Sequence, residues 1–249
     1  MSGHSKWSTI KRKKGAADAR RGKIFTRLIK EIAVAARDGG GDPGLNPRLR
    51  TAVDNAKAQN MPADNIQKAI QRGTGELPGV TYTPVTYEGY GPGGVALFIE
   101  CLTDNEKRTV ASVRHILGKH GGNLGKDGSV AWMFDPKGQI LIDAAEFDEE
   151  TVLLTAIDAG AEDVATEEGF HRVTTPFTAF QAVQDALHAA EVEFEEAELA
   201  MFPKSTVAVE GQTAEKLLRL IDALEEDDDV QRVAANFDID ERVLTAQAG

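Results

Sequence analysis

The spacing of apolar residues changes character after the first third of this chain, and that change limits its fold more than any other feature. Up to Gly73 the apolar side chains recur at helical intervals only; from Val85 strand-like alternation and short apolar blocks between glycine turns enter, interspersed with further helical stretches. Neither an all-helical nor an all-strand fold fits, and an α+β multidomain chain with its helices first is expected. At about 100° per residue, Phe25, Leu28, Ile29, Ile32 and Ala36 share one face of a helix over residues 23–37. Lys23, Arg27, Lys30 and Arg37 fall near the opposite pole, and the glycines at 39–41 stop the helix. Asn46 can cap a second helix whose first turn holds Pro47, with Leu49, Ala52, Val53 and Ala56 inward. A third begins near Pro62, turns Ile66, Ala69 and Ile70 inward, and is expected to stop at Gly73. These three make a small N-terminal helix bundle, and residues 74–84 read as a linker.

Strand patterns follow. Residues 87–90 and 95–102 flank the turn Gly91-Pro92-Gly93-Gly94 as a hairpin would. A helix is expected over residues 106–119, with Val110, Val113 and Leu117 on one side, and a strand over 129–134. From residue 139 to 202 the order is strand, helix, two hairpin strands, helix, strand, which is the ferredoxin-like βαββαβ order. A strand, a helix and a strand remain after residue 205. Residues 85–134 alone would make a poor sheet, so the last 45 or so residues are expected to complete it. The domains read as 1–79 (a basic helical domain with an N-terminal arm), 80–135 plus 204–249 (a middle α+β domain), and 136–203 (a ferredoxin-like domain inserted into the middle one).

Charge divides the chain at the same place. Residues 1–79 carry 16 basic and 7 acidic side chains, whereas residues 80–249 carry 12 basic and 33 acidic, so a net charge of −12 conceals a bipolar molecule. Eleven Lys or Arg and two acids lie between Lys6 and Arg37. A cationic segment of this density seeks polyanions, and non-specific nucleic-acid binding is mostly phosphate neutralisation with counterion release. Lys6, Lys11, Arg12, Lys13, Lys14, Arg20, Arg21, Lys23, Arg27 and Lys30 are the candidate phosphate contacts; the plainer alternative is a solvated helix face. Trp7, beside Lys6, either stacks on a base or pins the arm to its own domain. A second cationic patch, Lys107, Arg108, Arg114, Lys119 and Lys126, occupies twenty residues without an acid. It is either a further phosphate contact or a balance for neighbouring carboxylates.

Several classes are excluded or disfavoured. No apolar run approaches the roughly 20 residues of a bilayer span, and no apolar segment follows the basic N-terminus, against a membrane or secreted protein. The single Cys101 excludes an internal disulfide framework and a cysteine-based zinc site, and reads as a small core residue. Gly89, Gly91 and Gly94 satisfy G-x-G-x-x-G, but a strand follows where a helix must begin to hold pyrophosphate. Residues 120–127 (HGGNLGKD) lack the first glycine and the Ser or Thr of a phosphate loop. The five histidines have no zinc-protease spacing, and the acidic run at 225–229 lacks EF-hand spacing and reads as solvated surface. No catalytic constellation is present, and no cofactor, small-molecule substrate or membrane partner is expected.

Seven segments together resemble one family: GHSKW at 3–7, RGKIFTRLIKEI at 21–32, NMPADNI at 60–66, YEGYGPGG at 87–94, LTDN at 102–105, VRHILGKHGGNLG at 113–125 and SVAWMF at 129–134. This is similar to the YebC family of bacterial proteins and its mitochondrial relative, the translational activator of cytochrome oxidase subunit one. The resemblance implies a helical domain followed by two α+β domains, the last inserted in the second. It also implies DNA-binding transcriptional regulation or, as an alternative, a ribosome-associated factor on ribosomal RNA that helps synthesis of proline-rich stretches. Because it begins at residue 3, a bacterial, cytoplasmic protein without a cleaved leader is expected. The family often carries Asn before Arg-Thr where this chain has Glu106-Lys107, so Arg108 and Arg114 are the better carried-over candidates. The expected protein is a non-enzymatic monomer that binds DNA or ribosomal RNA, in contact with the ribosome or the transcription machinery. A different class, a protein-interaction module docking its acidic domains on a basic partner, remains beside it.

Overall fold

The structure, a computed structural model, describes Trp7 and residues 17–240, with side chains from Arg21 onward in the first helix. Three helices come first: α1 (Ala17–Gly39), α2 (Pro47–Ala58) and α3 (Ala63–Thr74). Strands β1 (Thr83–Tyr90) and β2 (Ala96–Thr103) precede α4 (Glu106–Lys119) and the short β3 (Asn123–Leu124). Then come β4 (Phe134–Asp143), α5 (Glu149–Asp158), β5 (Asp163–Glu167), β6 (Phe170–Pro176), α6 (Phe180–Ala189) and β7 (Glu196–Pro203). The described chain closes with β8 (Val207–Ala208), α7 (Gly211–Glu225), β9 (Val230–Ala235) and β10 (Phe237–Asp238). Two compact units gather these elements: one from the residues before Leu28 with 81–135 and 201 onward, the other from 28–80 and 136–200.

In the first unit the sheet order is β3-β1-β2-β9, so a strand near the C-terminus joins the hairpin, as the sparse sheet of residues 85–134 required. The hairpin turns through a single 3-10 turn at Pro92–Gly94, where Gly93 (φ 79°) and Gly94 (φ 77°) take the left-handed conformation. Strand β2 is largely apolar on both faces because both are covered, the exception being half-buried Glu100, which pairs with Arg232 of β9 at 3.2 Å. Leu97, Ile99 and Cys101 pack with Val113 and Leu117 of α4, Leu217 and Leu220 of α7, and the indole of Trp7. Ala96 and Phe98 face Val130 and Phe134 on the other side. Each large side chain buried here contributes roughly 1.5–3 kcal/mol of transfer free energy.

One expected strand is absent. Residues 129–133 form a turn and a 3-10 segment, Ala131–Met133, and β4 starts only at Phe134. The cause is Glu88 of β1, whose carboxylate takes the backbone N–H groups of Gly128, Val130 and Ala131 at 2.6, 2.6 and 2.9 Å. Amides held by a side chain cannot enter a ladder.

In the second unit Asn46 joins two helices. Its Oδ1 accepts from Leu49 N (3.1 Å) as the cap of α2, while its Nδ2 donates to Ala35 O and Gly40 O, both at 2.8 Å, at the end of α1. Gly73 does not end α3 as expected. It lies inside the helix, where a Cβ would stand 2.3 Å from Ala33 O, and the left-handed Gly75 (φ 83°) is the cap. The absent side chain lets α1 and α3 approach backbone to backbone. The sheet of this unit has the order β5-β6-β4-β7, with Ile140, Ile142 and Val173 buried against Val152, Ala156, Val183 and Leu187 of α5 and α6. Helix α6 starts four residues after Pro176, behind the 3-10 turn Phe177–Ala179. Among the described residues, no helix is long and apolar enough to cross a membrane.

Candidate nucleic-acid interface

Helix α4 is capped by Asn105, which accepts from Arg108 N at 3.1 Å, and is anchored by the buried Thr109, Val113 and Leu117. With those three inward, a 100° rotation per residue turns Lys107 and Arg114 outward, two helical turns apart. Lys107, Arg114, Lys119 and, beyond the helix, Lys126 are all exposed. None of the four makes an ion pair or side-chain hydrogen bond among the described residues. Their charge is available to an external anion.

Arg108 differs, although it sits on the same helix. Its guanidinium donates to Asp229 Oδ2 and Asp104 Oδ1, both at 2.7 Å. Hydrogen bonding to Asp229, then to Asp104, raises its pKa above the ordinary arginine value. Asp229 itself is buried and also accepts from Thr109 (2.8 Å) and Thr103 (3.1 Å). The acidic run at 225–229 is therefore only partly solvated surface. Its last residue is a structural acceptor inside the first unit, and Asp227 accepts from Ser112 of α4. A phosphate approaching Arg108 would compete with two carboxylates already in place.

The cations of α1 are divided in the same way. Lys23 Nζ donates to Glu226 O at 2.9 Å, and Arg27 donates to Glu225 O. Both satisfy carbonyls at the C-terminal end of α7, where a positive charge also meets the negative pole of the helix dipole. Lys30 is only 5% exposed and Arg37 donates to Asp38 Oδ1 at 2.9 Å, so the expected cationic ridge of Lys23, Arg27, Lys30 and Arg37 is largely engaged or covered. Arg21 is exposed. Lys6, Lys11, Arg12, Lys13, Lys14 and the side chain of Arg20 lie outside the described residues. Trp7 is buried in the core, the anchoring alternative, and its ring offers no face to a base.

Two features escaped the sequence reasoning. Trp132 is 65% exposed, and its Nε1 donates to Ser129 O at 3.1 Å. The same carbonyl accepts from the Tyr90 hydroxyl at 3.1 Å. The assignment of residues 129–134 to a strand hid this ring; the available signal was a second tryptophan in a turn rich in Gly and Ser. The other is Glu88. Its burial would raise the carboxyl pKa, but the N–H groups of Val130, Gly128 and Ala131 outweigh that and hold it below the usual carboxylate value. The ionised carboxylate thus fixes the loop that carries Lys126 and Trp132. Among the described residues no three His, Cys, Asp or Glu side chains are placed to hold a metal ion.

Comparison with known proteins covers the whole of this architecture. Residues 5–76 match the TACO1/YebC protein N-terminal domain, and residues 82–237 match the TACO1/YebC second and third domain. A probable transcriptional regulatory protein of Desulforapulum autotrophicum is 57% identical over 246 residues, 99% of this chain and 100% of the relative. One from Geobacter sulfurreducens is 58% identical over 239 residues, 96% of each chain. The crystal structure of a conserved hypothetical protein from Aquifex aeolicus superposes with a TM-score of 0.85 at 48% identity, covering 91% of this chain and 93% of that one.

Proposed function

The chain belongs to the TACO1/YebC family, and from that premise we propose a non-enzymatic, cytoplasmic regulator of gene expression that binds nucleic acid. Its first form is a DNA-binding transcriptional regulator, in keeping with the names of the relatives. The observation that carries the binding is the outer face of α4 with its following loop. Lys107, Arg114, Lys119 and Lys126 stand exposed, without a partner among the described residues, in a stretch without a carboxylate, within a C-terminal part that is otherwise strongly acidic. Arg21 and the cations of residues 6–20 add to the same electrostatic term. Base-specific readout has no support in the arrangement. The affinity is expected to be steeply salt-dependent and shared among duplexes, with ribosomal RNA as the alternative target.

In this reading the protein acts as a monomer of three folding parts, 1–79, 80–135 with 204–249, and 136–203. The order β5-β6-β4-β7 supports a ferredoxin-like form for the last. Binding to duplex DNA, structured RNA and ribosomes at several salt concentrations tests the proposal. Retention on ribosomes at salt that strips DNA would move the function to translation. Unchanged binding to all three after charge reversal of Lys107, Arg114, Lys119 and Lys126 together would end it.

A second reading has its own observation. Leu153, Leu154 and Ile157 of α5 are 39%, 57% and 43% exposed, in a segment, 136–200, with 16 acidic and 2 basic side chains. An apolar strip bordered by acids suits a basic, amphipathic protein segment. Binding of such a peptide, abolished by Leu154→Asp, would favour the interaction-module reading.

A further inference from the structure

We propose that Trp132 and Lys126 form a stacking site for an unpaired nucleotide, so that the protein holds single-stranded nucleic acid through this loop. The inference rests on the nucleic-acid reading above and adds to it the strand state of the ligand and the residues that sense it.

The chain has two tryptophans with opposite fates: Trp7 is 1% exposed and Trp132 is 65% exposed. A large aromatic ring left in water at a turn contributes little to folding. This ring is nevertheless held in place. Its Nε1 is committed to Ser129 O, and Ser129 N in turn donates to Lys126 O at 3.1 Å, so two successive hydrogen bonds link the ring to the backbone of Lys126. The loop itself is fastened from below by three N–H bonds to buried Glu88, and Gly125 N donates to Glu88 O at 2.7 Å. A ring oriented before binding loses little freedom when a base covers it.

The chemistry of the neighbourhood selects the occupant. Lys126 is exposed, and among the described residues its side chain has no partner, which gives a phosphate contact in the loop that carries the ring. Aromatic stacking with an adjacent cation is how proteins hold unpaired bases without reading sequence, and each stacked base is worth about 1–3 kcal/mol. A duplex cannot use the site in this way, because its base faces are already stacked on one another. Single strands therefore gain a term that duplexes lack, superimposed on the shared phosphate term.

The two tryptophans make the test direct. Trp7 reports the core, and Trp132 reports the loop. Titration with an oligothymidylate or oligouridylate of about ten nucleotides, and with a duplex of equal length, is followed by tryptophan fluorescence and by anisotropy of a labelled strand. Stacking quenches Trp132 on single strands and leaves it nearly unchanged on the duplex. Trp132→Ala lowers single-strand affinity about tenfold or more and leaves duplex affinity within about twofold, while Trp132→Phe keeps part of it. Lys126→Ala weakens single-strand binding and reduces its salt slope by about 0.7. Equal affinity of wild type and Trp132→Ala for single strands, with no quenching, overturns the stacking site while binding to duplex persists and the wider reading survives. Absence of binding to any nucleic acid at low salt removes both.

Discussion

The Thr109 hydroxyl donates to the carboxylate of Asp229 at 2.8 Å, tying the first turn of α4 to the turn before β9 across 120 residues of sequence. Thr103 and Arg108 converge on the same oxygen. Asp229→Ala removes the buried acceptor on which three donors converge, leaving Thr109 with Asn105 O and Thr103, and Arg108 with Asp104 and a longer bond to Thr103, a loss of about 1–3 kcal/mol. Arg108→Ala removes a guanidinium that water already solvates in part, so its cost is expected to be much the smaller of the two. Urea denaturation of the two variants measures the difference, and equal losses would show that the network is not organised on Asp229.

The pairing also separates Arg108 from Arg114 as ligands for phosphate. Arg114→Ala lowers nucleic-acid affinity uniformly across sequences and reduces the slope of log K against log salt by about 0.9 on duplex DNA. Arg108→Ala, whose charge is already matched by two carboxylates, leaves that slope within error of wild type. Salt titrations of the two variants side by side check this.

Glu88 gives the loop a pH dependence. Its folded-state pKa lies below the ordinary glutamate value, because bonds from Val130, Gly128 and Ala131 outweigh the effect of burial. A group depressed in the folded state stabilises fully above the unfolded pKa, and that stability is lost as pH falls through the folded pKa. Near neutrality the contribution is complete; it declines only under acid conditions, beginning near the ordinary carboxylate pKa of about 4.3. Glu88→Gln is expected to be less stable than wild type at neutral pH, with the gap closing as both are acidified. Denaturation midpoints measured from about pH 7 down to about pH 3, a range that spans the ordinary carboxylate titration, follow this gap. A constant gap would rule out Glu88 as its source.

What could be read from the sequence was decided locally. Asn46 beside Pro47, the glycine turn after Tyr90, and the limits of α4 each depend on neighbours a few residues away. The strand-helix order of residues 134–203 is set by alternating patterns of the same short range. Which cations remain free is decided at long range instead. Lys23 and Arg27 find carbonyls 203 and 198 residues away, and Arg108 finds a carboxylate 121 residues away. Periodicity puts these side chains on a helix face without indicating what that face meets. Trp132 escapes for a related reason: an apolar run suggests a strand, and only Glu88, 42 residues before Val130, takes its amides out of the ladder.

Two glycines inside helices should respond in opposite directions to the same substitution. Helix propensity alone favours alanine over glycine by about 1 kcal/mol. Gly118 in α4 has nothing within 4 Å of the position a Cβ would take, so Gly118→Ala should stabilise by roughly that amount. At Gly73 the added methyl meets Ala33 O at 2.3 Å and the Ala36 side chain at 2.9 Å. The obstacle is backbone, which cannot rotate away, so α1 and α3 must separate and their buried contacts loosen. Gly73→Ala should destabilise by about 1–3 kcal/mol despite its better propensity. Thermal or urea unfolding of the two variants reads both signs, and a stabilised Gly73→Ala would mean that the helices do not approach as closely as the Ala33 carbonyl requires.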